Sequence, residues 1–165
     1  MNYKIYEIKG KHSETKRTRT LKINAVTEED AKRQALESDL ESIESITVID
    51  FEAPTQKQID YAKSLGINIR QDYTQKDVSA LISKRVDNDD EHTKELFQFA
   101  TDHKVYVSKY IGETALYGAI FHSLPNLDKI AFFLFAVYRD LTGDKCSNLD
   151  NHPHRQKFYE FAEAN

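Results

Sequence analysis

An α+β fold is predicted by three features of the 165-residue chain. Residues 1–53 hold three short β-rich runs around a single amphipathic helical stretch. Residues 54–86 hold two successive helical patterns, each opened by the triplet Thr-Gln-Lys. Residues 92–165 are aromatic-rich and carry apolar residues at helical spacing. The expected architecture is a three-stranded antiparallel sheet with one helix, then a helix-extended-loop-helix module, then a helical C-terminal bundle. The segments are read as a ββαβ unit over 1–53, the module over 54–86 and the bundle over 92–165.

The first strand is expected at Tyr3–Ile8, with Tyr3, Ile5 and Glu7 on one face and Lys4, Tyr6 and Ile8 on the other. A polar link leads to a second strand at Leu21–Val26, where Leu21, Ile23 and Ala25 share a side. Thr27 is a good N-cap with Asp30 three residues on, and Ala31, Ala35, Leu36 and Leu40 mark the buried stripe of the following helix. The third strand is expected at Ser45–Phe51.

In the second segment, Thr55 and Gln58 have capping-box spacing, Ile59, Ala62 and Leu65 line one face, and Gly66 supplies the left-handed stop. Ile67–Tyr73 reads as an extended connector. Thr74 repeats the cap with Asp77, and Val78, Leu81, Ile82 and Val86 form a second buried stripe. The run Asp87–Glu91 (DNDDE) reads as a solvated hinge or as a cap cluster for the next helix.

Further helices are expected at Lys94–Asp102, Glu113–His122, Leu127–Leu141 and Pro153–Ala164. Nearly every position from Ile130 to Tyr138 is apolar, which predicts a helix covered on almost all sides at the centre of the bundle. That run is about half the length a membrane span needs. The opening MNYKIYEIKG has no apolar core followed by a small-residue cleavage site, so no secretory signal and a cytoplasmic location are expected. The single cysteine, Cys146, forbids an intramolecular disulfide framework and fits a reducing compartment. The mixture of Lys, Asn, Ile, Tyr and Phe, with no Trp, resembles the composition of proteins from AT-rich Gram-positive bacteria and their phages.

No enzymatic motif is present: no Gly-rich phosphate loop, G-x-S-x-G, H-E-x-x-H or C-x-x-C. Cys146, Asp150, His152 and His154 are zinc-ligand types, but their spacing fits no standard pattern, and His-Pro-His ahead of a helix is ordinary N-terminal chemistry with Pro153 in its first turn. Cys146 reads as a lone, partly buried thiol. No catalytic residue, metal, cofactor, small-molecule substrate or membrane partner is expected, and the chain reads as a non-enzymatic binding protein. Most of the phenylalanines of the third segment are expected in the core.

Charge singles out the middle segment. The formal net charge is −4 overall, and by segment it is −2 for residues 1–53, +3 for 54–86 and −5 for 87–165. Lys57, Lys63, Arg70, Lys76, Lys84 and Arg85 supply the positive charge. Two capped helix N-termini offer unpaired backbone N–H groups and the positive end of a dipole, which suits phosphate oxygens. Lys57 and Lys76 fall in first turns, where the dipole disfavours a cation unless an anion lies opposite. Lys57, Lys63, Arg70, Thr74, Gln75, Lys76, Lys84 and Arg85 are therefore the candidate contacts to a DNA backbone, which would position the protein without reading sequence.

The pattern Leu65-Gly66-Ile67 followed by Thr74, Lys76, Leu81, Ile82 and Arg85 resembles the SAP family of helix-extended-loop-helix modules, over about a fifth of the chain. The connector is longer than in that family, and Val78 and Ser79 stand where it is often richer in Leu and Glu. The resemblance implies DNA binding, although related modules also bind proteins. The alternative expectation is a protein-binding inhibitor. The chain as a whole resembles small phage or mobile-element proteins, and in general character the anti-CRISPR inhibitors of host defence nucleases. On that reading Asp87, Asp89, Asp90 and Glu91, with the acidic C-terminal segment, dock on a host nucleic-acid-binding protein.

Overall fold

The β-rich N-terminal runs pair as an antiparallel sheet of β1 (Lys4–His12), β2 (Thr18–Ala25) and β3 (Leu40–Ile49), in the order β2-β1-β3. The structure is a computed structural model and describes residues 3–164. Tyr6 pairs with Ile23 and Ile8 with Leu21, so the buried face of β1 meets the buried face of β2. Helix α1 (Glu28–Glu37), capped by the Thr27 hydroxyl on the Asp30 N–H, lays Ala31 and Ala35 on this face. Small residues let the helix approach the strands closely.

On the other edge, Leu40, Ile43 and Ile46 recur every three residues, which is not a strand period. Two register shifts, between Lys9 and Gly10 and between Lys11 and His12, resolve this. Each bulge consumes one extra residue of β3, so His12, Gly10 and Ile8 face Leu40, Ile43 and Ile46 in turn and all three apolar residues stay on the core side. A Cβ on Gly10 would lie 2.1 Å from the Ser42 carbonyl oxygen, so the close approach at the bulge requires glycine.

The sheet corrects several boundaries. β1 and β2 run through most of the polar link, which closes with a turn at Ser13–Thr15 and a left-handed Lys16. Leu40 belongs to β3 rather than to the helix, Asp39 turning the chain with φ 71°, and Leu36 is exposed. β3 begins earlier than expected and ends at Ile49. Phe51, beyond it, packs edge-on to Tyr3 at 5.5 Å.

The chain divides after Ala53 into two compact units. In the second, α2 (Gln56–Ser64) and α3 (Gln75–Val86) carry complete capping boxes, Thr55 with Gln58 and Thr74 with Asp77. Gly66 has φ 76° and closes α2, with the Ile67 N–H donating to the Ala62 carbonyl. Val86, at the end of α3, is exposed rather than part of the buried stripe. The helices that follow are α4 (Lys94–Asp102), α5 (Glu113–Ser123), α6 (Asn126–Thr142) and α7 (Arg155–Ala164). Pro153 lies in the turn ahead of α7, not in its first turn.

Leu96, Phe99, Leu116, Ile120, Phe132 and Phe135 centre the helical core. α6 is not covered on all sides. Ala131, Phe132, Phe135 and Arg139 face inward, whereas Phe133 is 56% and Leu141 79% exposed. The core lies against one face of α6, so an all-apolar run here makes two apolar faces, one buried and one presented to solvent. Among the described residues no helix is long and apolar enough to cross a membrane.

Candidate nucleic-acid interface and acidic hollow

The two Thr-Gln-Lys openings differ once their surroundings are in place. At α2 the Thr55 N–H donates to Gln58 Oε1 at 3.0 Å and the Gln58 N–H to Thr55 Oγ1 at 3.3 Å, and no acidic residue stands in the first turn. Gln58 Nε2 also donates to Ser79 Oγ at 2.9 Å, tying the start of α2 to α3. Lys57 is exposed and makes no ion pair among the described residues.

At α3 the box is acidic. Asp77 accepts from the Thr74 N–H at 3.0 Å and from its hydroxyl at 2.8 Å, and its other oxygen accepts from Ser108 Oγ at 2.6 Å. Burial alone would raise the Asp77 carboxyl, but the hydrogen bonds from Ser108 and Thr74 outweigh it and hold it below the usual aspartate value. The α3 N-terminus thus carries its own anion. A first-turn cation therefore has a carboxylate in the same turn at α3 and none at α2, although Lys76 itself makes no ion pair among the described residues.

The remaining cations of the module divide in two. Arg70 is engaged by Asp72 at 3.1 and 3.2 Å, and Lys84 by Glu91. Lys57, Lys63, Lys76 and Arg85 are exposed and without ion pairs among the described residues. Thr74 is occupied by its cap, and Gln75 follows it half-buried.

Two residues that sequence reasoning left out lie beside the connector between α2 and α3. The tilted rings of Tyr73 and Tyr110 lie 5.0 Å apart, and a hydrogen bond between their hydroxyls raises the Tyr73 phenol. Arg70 sits over the Tyr73 ring at 5.7 Å and Lys109 over the Tyr110 ring at 5.0 Å. No linear signal joins Lys109 and Tyr110 to the module, because the Ser108–Asp77 bond that brings them there spans 31 residues.

The acidic run is a structural cap as well as a charge patch. Asp89 accepts the N–H groups of Thr114 at 2.9 Å and Ala115 at 3.0 Å, serving α5, whose own N-cap is Gly112 without a side-chain bond. These bonds hold the Asp89 carboxyl below its usual value against the opposing effect of burial. The Asp90 carbonyl accepts from Glu113 N–H at 2.9 Å, and Glu91 bridges to Gly112. The run therefore caps α5, not the next helix in sequence.

Beside it lies an open hollow of about 660 Å³, lined by Asp87, Asp89, Asp90, Glu113, Asp140 and Asp144 against only two cations, Arg139 and Lys145. Glu113 is held by Lys145 at 3.2 Å and Arg139 at 3.6 Å. Asp144 accepts from Ser147 Oγ and the Cys146 N–H. Asp87, Asp90 and Asp140 have no side-chain hydrogen bond or ion pair among the described residues, and they make the rim negative.

Among the residues weighed as zinc ligands the His152 and His154 rings lie 5.4 Å apart, but no three ligand-type side chains gather at one point among the described residues. Cys146 is exposed, not partly buried as expected. Asp150 pairs with His103 at 2.9 Å, and His152 is buried against Phe135, Tyr138 and Phe158. No protein-family model matches the chain, and neither does any curated protein or solved structure.

Proposed function

We propose that the chain is a non-enzymatic binding protein whose module over residues 54–86 contacts the phosphate backbone of DNA. The observation that carries this reading is that four exposed cations without ion pairs among the described residues, Lys57, Lys63, Lys76 and Arg85, fall within one module of a chain whose net charge is −4. Lys109 and the Tyr73–Tyr110 pair add a further cation and two aromatic rings beside the module, the combination that suits a nucleic-acid strand. Arg70 and Lys84 contribute less, because Asp72 and Glu91 already neutralise them. Fluorescence anisotropy with a labelled duplex and a labelled single strand tests the reading. Affinity is expected to fall steeply with salt, and Lys57→Ala combined with Lys76→Ala to weaken binding further. Binding that does not change between about 50 and about 300 mM salt rules out a backbone-driven mode.

The acidic hollow favours a second reading, in which the chain binds and inhibits a basic host nuclease in the manner of anti-CRISPR proteins. Asp87, Asp90 and Asp140 on its rim are the carboxylates left to meet a cationic partner. Pull-down from a host lysate followed by identification of a nuclease, with recovery lost on Asp87→Lys and Asp90→Lys, is the expected outcome. Recovery unaffected by those reversals excludes the rim as the docking face.

A further inference from the structure

The outward face of α6 carries Leu127, Ile130, Leu134, Val137 and Leu141, spaced three, four, three and four residues apart. That is the spacing of a coiled-coil seam, in which every side chain returns to one line facing a partner helix. Leu127 and Val137 are each 40% exposed and Ile130 37%, and Leu134 is half-buried. Phe133, beside the line, widens the apolar surface. The inward face of the same helix is already filled by Ala131, Phe132 and Phe135, so this seam has no role in the core of the unit. A solvent-facing helix normally carries polar residues at these positions. Five apolar residues in strict register along the 17-residue helix make a surface with a definite geometry rather than scattered exposure.

The charges flanking the seam identify its occupant. Lys129 and Asp140 are eleven residues apart, three turns to within about 20°, so both lie on the Phe133 side of the seam. In an antiparallel pair of identical helices related by a two-fold axis, the same flank of each helix lies on the same side. An axis beside Leu134 sets Leu127 against Leu141 of the other copy, Ile130 against Val137, and Leu134 against itself. The same axis sets Lys129 against Asp140, and does so twice. Neither side chain has an ion pair among the described residues, although the Lys129 ammonium lies 5.5 Å from the Phe121 ring centre. One symmetry operation satisfies both the apolar register and the charge register. A parallel pairing, with its two-fold along the helices, would instead place the two Phe133-side flanks on opposite sides of the seam and bring Lys129 to no Asp140.

We propose that α6 is the interface of an antiparallel homodimer, occupied by α6 of a second copy of this chain. A two-helix seam lies at the small end of specific interfaces, so the association is expected in the micromolar range. The proposal does not depend on what the basic module binds.

Sedimentation velocity over about 1 to about 500 µM protein tests it. The expected mass rises from 19.1 kDa towards twice that value, and a mass of 19.1 kDa throughout overturns the proposal. Val137→Glu, at a position outside the core, is expected to weaken association roughly a hundredfold by placing a charge in the seam of each copy. Circular dichroism verifies that this variant is folded, and a folded Val137→Glu protein that still dimerises normally overturns the assignment to α6. Lys129→Asp and Asp140→Lys are each expected to weaken association roughly tenfold, and the double exchange to restore it. A double exchange no tighter than the single variants overturns the antiparallel register.

Discussion

The Asp89 carboxylate caps a helix that begins 24 residues further along the chain, accepting the Thr114 N–H at 2.9 Å and the Ala115 N–H at 3.0 Å. A Cβ on Gly112 would lie 2.2 Å from Asp89 Oδ2, so the glycine is what lets the carboxylate reach the first turn of α5. Asp89→Ala is expected to cost about 1–2 kcal/mol in urea unfolding, the usual loss for a cap. Asp87→Ala, at an exposed position, is expected to stay within about 0.5 kcal/mol. Because the folded Asp89 carboxyl is held below its ordinary value, its contribution is complete above the unfolded carboxylate pKa and is lost as pH falls through the folded one. The difference between wild type and Asp89→Ala should therefore shrink in acid. A constant difference down to the acid transition would show that Asp89 acts sterically.

Two glycines should respond oppositely to the same substitution. Gly10→Ala drives a methyl group into the Ser42 carbonyl and is expected to destabilise the β-rich unit by about 2 kcal/mol or more, since the obstacle is backbone. Gly118, within α5, has nothing within 4 Å of an added Cβ. Gly118→Ala is expected to stabilise by about 0.5–1 kcal/mol through helix propensity. Thermal unfolding of the two variants checks the pair.

His152 should make stability depend on pH near neutrality. Its Nδ1 accepts the His154 N–H at 3.0 Å, which leaves the proton of the neutral ring on Nε2, 3.6 Å from Asp144 Oδ2. Burial lowers its pKa below the ordinary 6.5, with Asp144 opposing the shift and His154 adding to it. The unfolded chain then takes up the proton at higher pH than the folded one. Stability is full above 6.5 and is lost as pH falls from 6.5 through the folded value. Urea midpoints between about pH 8 and about pH 5 should show this slope, and His152→Gln should flatten it.

Arg139 is expected to be the most sensitive charged position. Its guanidinium is almost completely buried, donates to the Asp144 carbonyl at 2.8 Å and to Thr93 Oγ1 at 3.3 Å, and lies over the rings of Tyr117 and Phe135. Arg139→Ala removes packing and leaves Glu113 to Lys145 alone, for an expected loss of about 3–5 kcal/mol in denaturant unfolding. Glu113→Gln should cost less, because the arginine keeps its other acceptors.

What lay within one or two helical turns was legible in the sequence. The Thr55–Gln58 and Thr74–Asp77 boxes, the left-handed Gly66 and the span of α4 all follow from residues three or four apart, whose geometry the backbone dictates before any tertiary contact forms. The order of three strands and one helix followed from apolar alternation in the same way.

Tertiary structure decided the rest, because each remaining feature depends on groups distant in sequence. The three-residue rhythm of Leu40, Ile43 and Ile46 became a buried face only through bulges set by pairing with β1. The DNDDE run reads as a solvated hinge or as a cap for the next helix, and its role depends on where its carboxylates find donors, which Thr114 and Ala115 of α5 supply to Asp89. Tyr110 and Lys109 joined the basic module through Asp77 and Ser108. The composition of α6 required burial, but composition cannot say how many neighbours a helix will have. The fold covers one of its apolar faces and leaves the other to solvent.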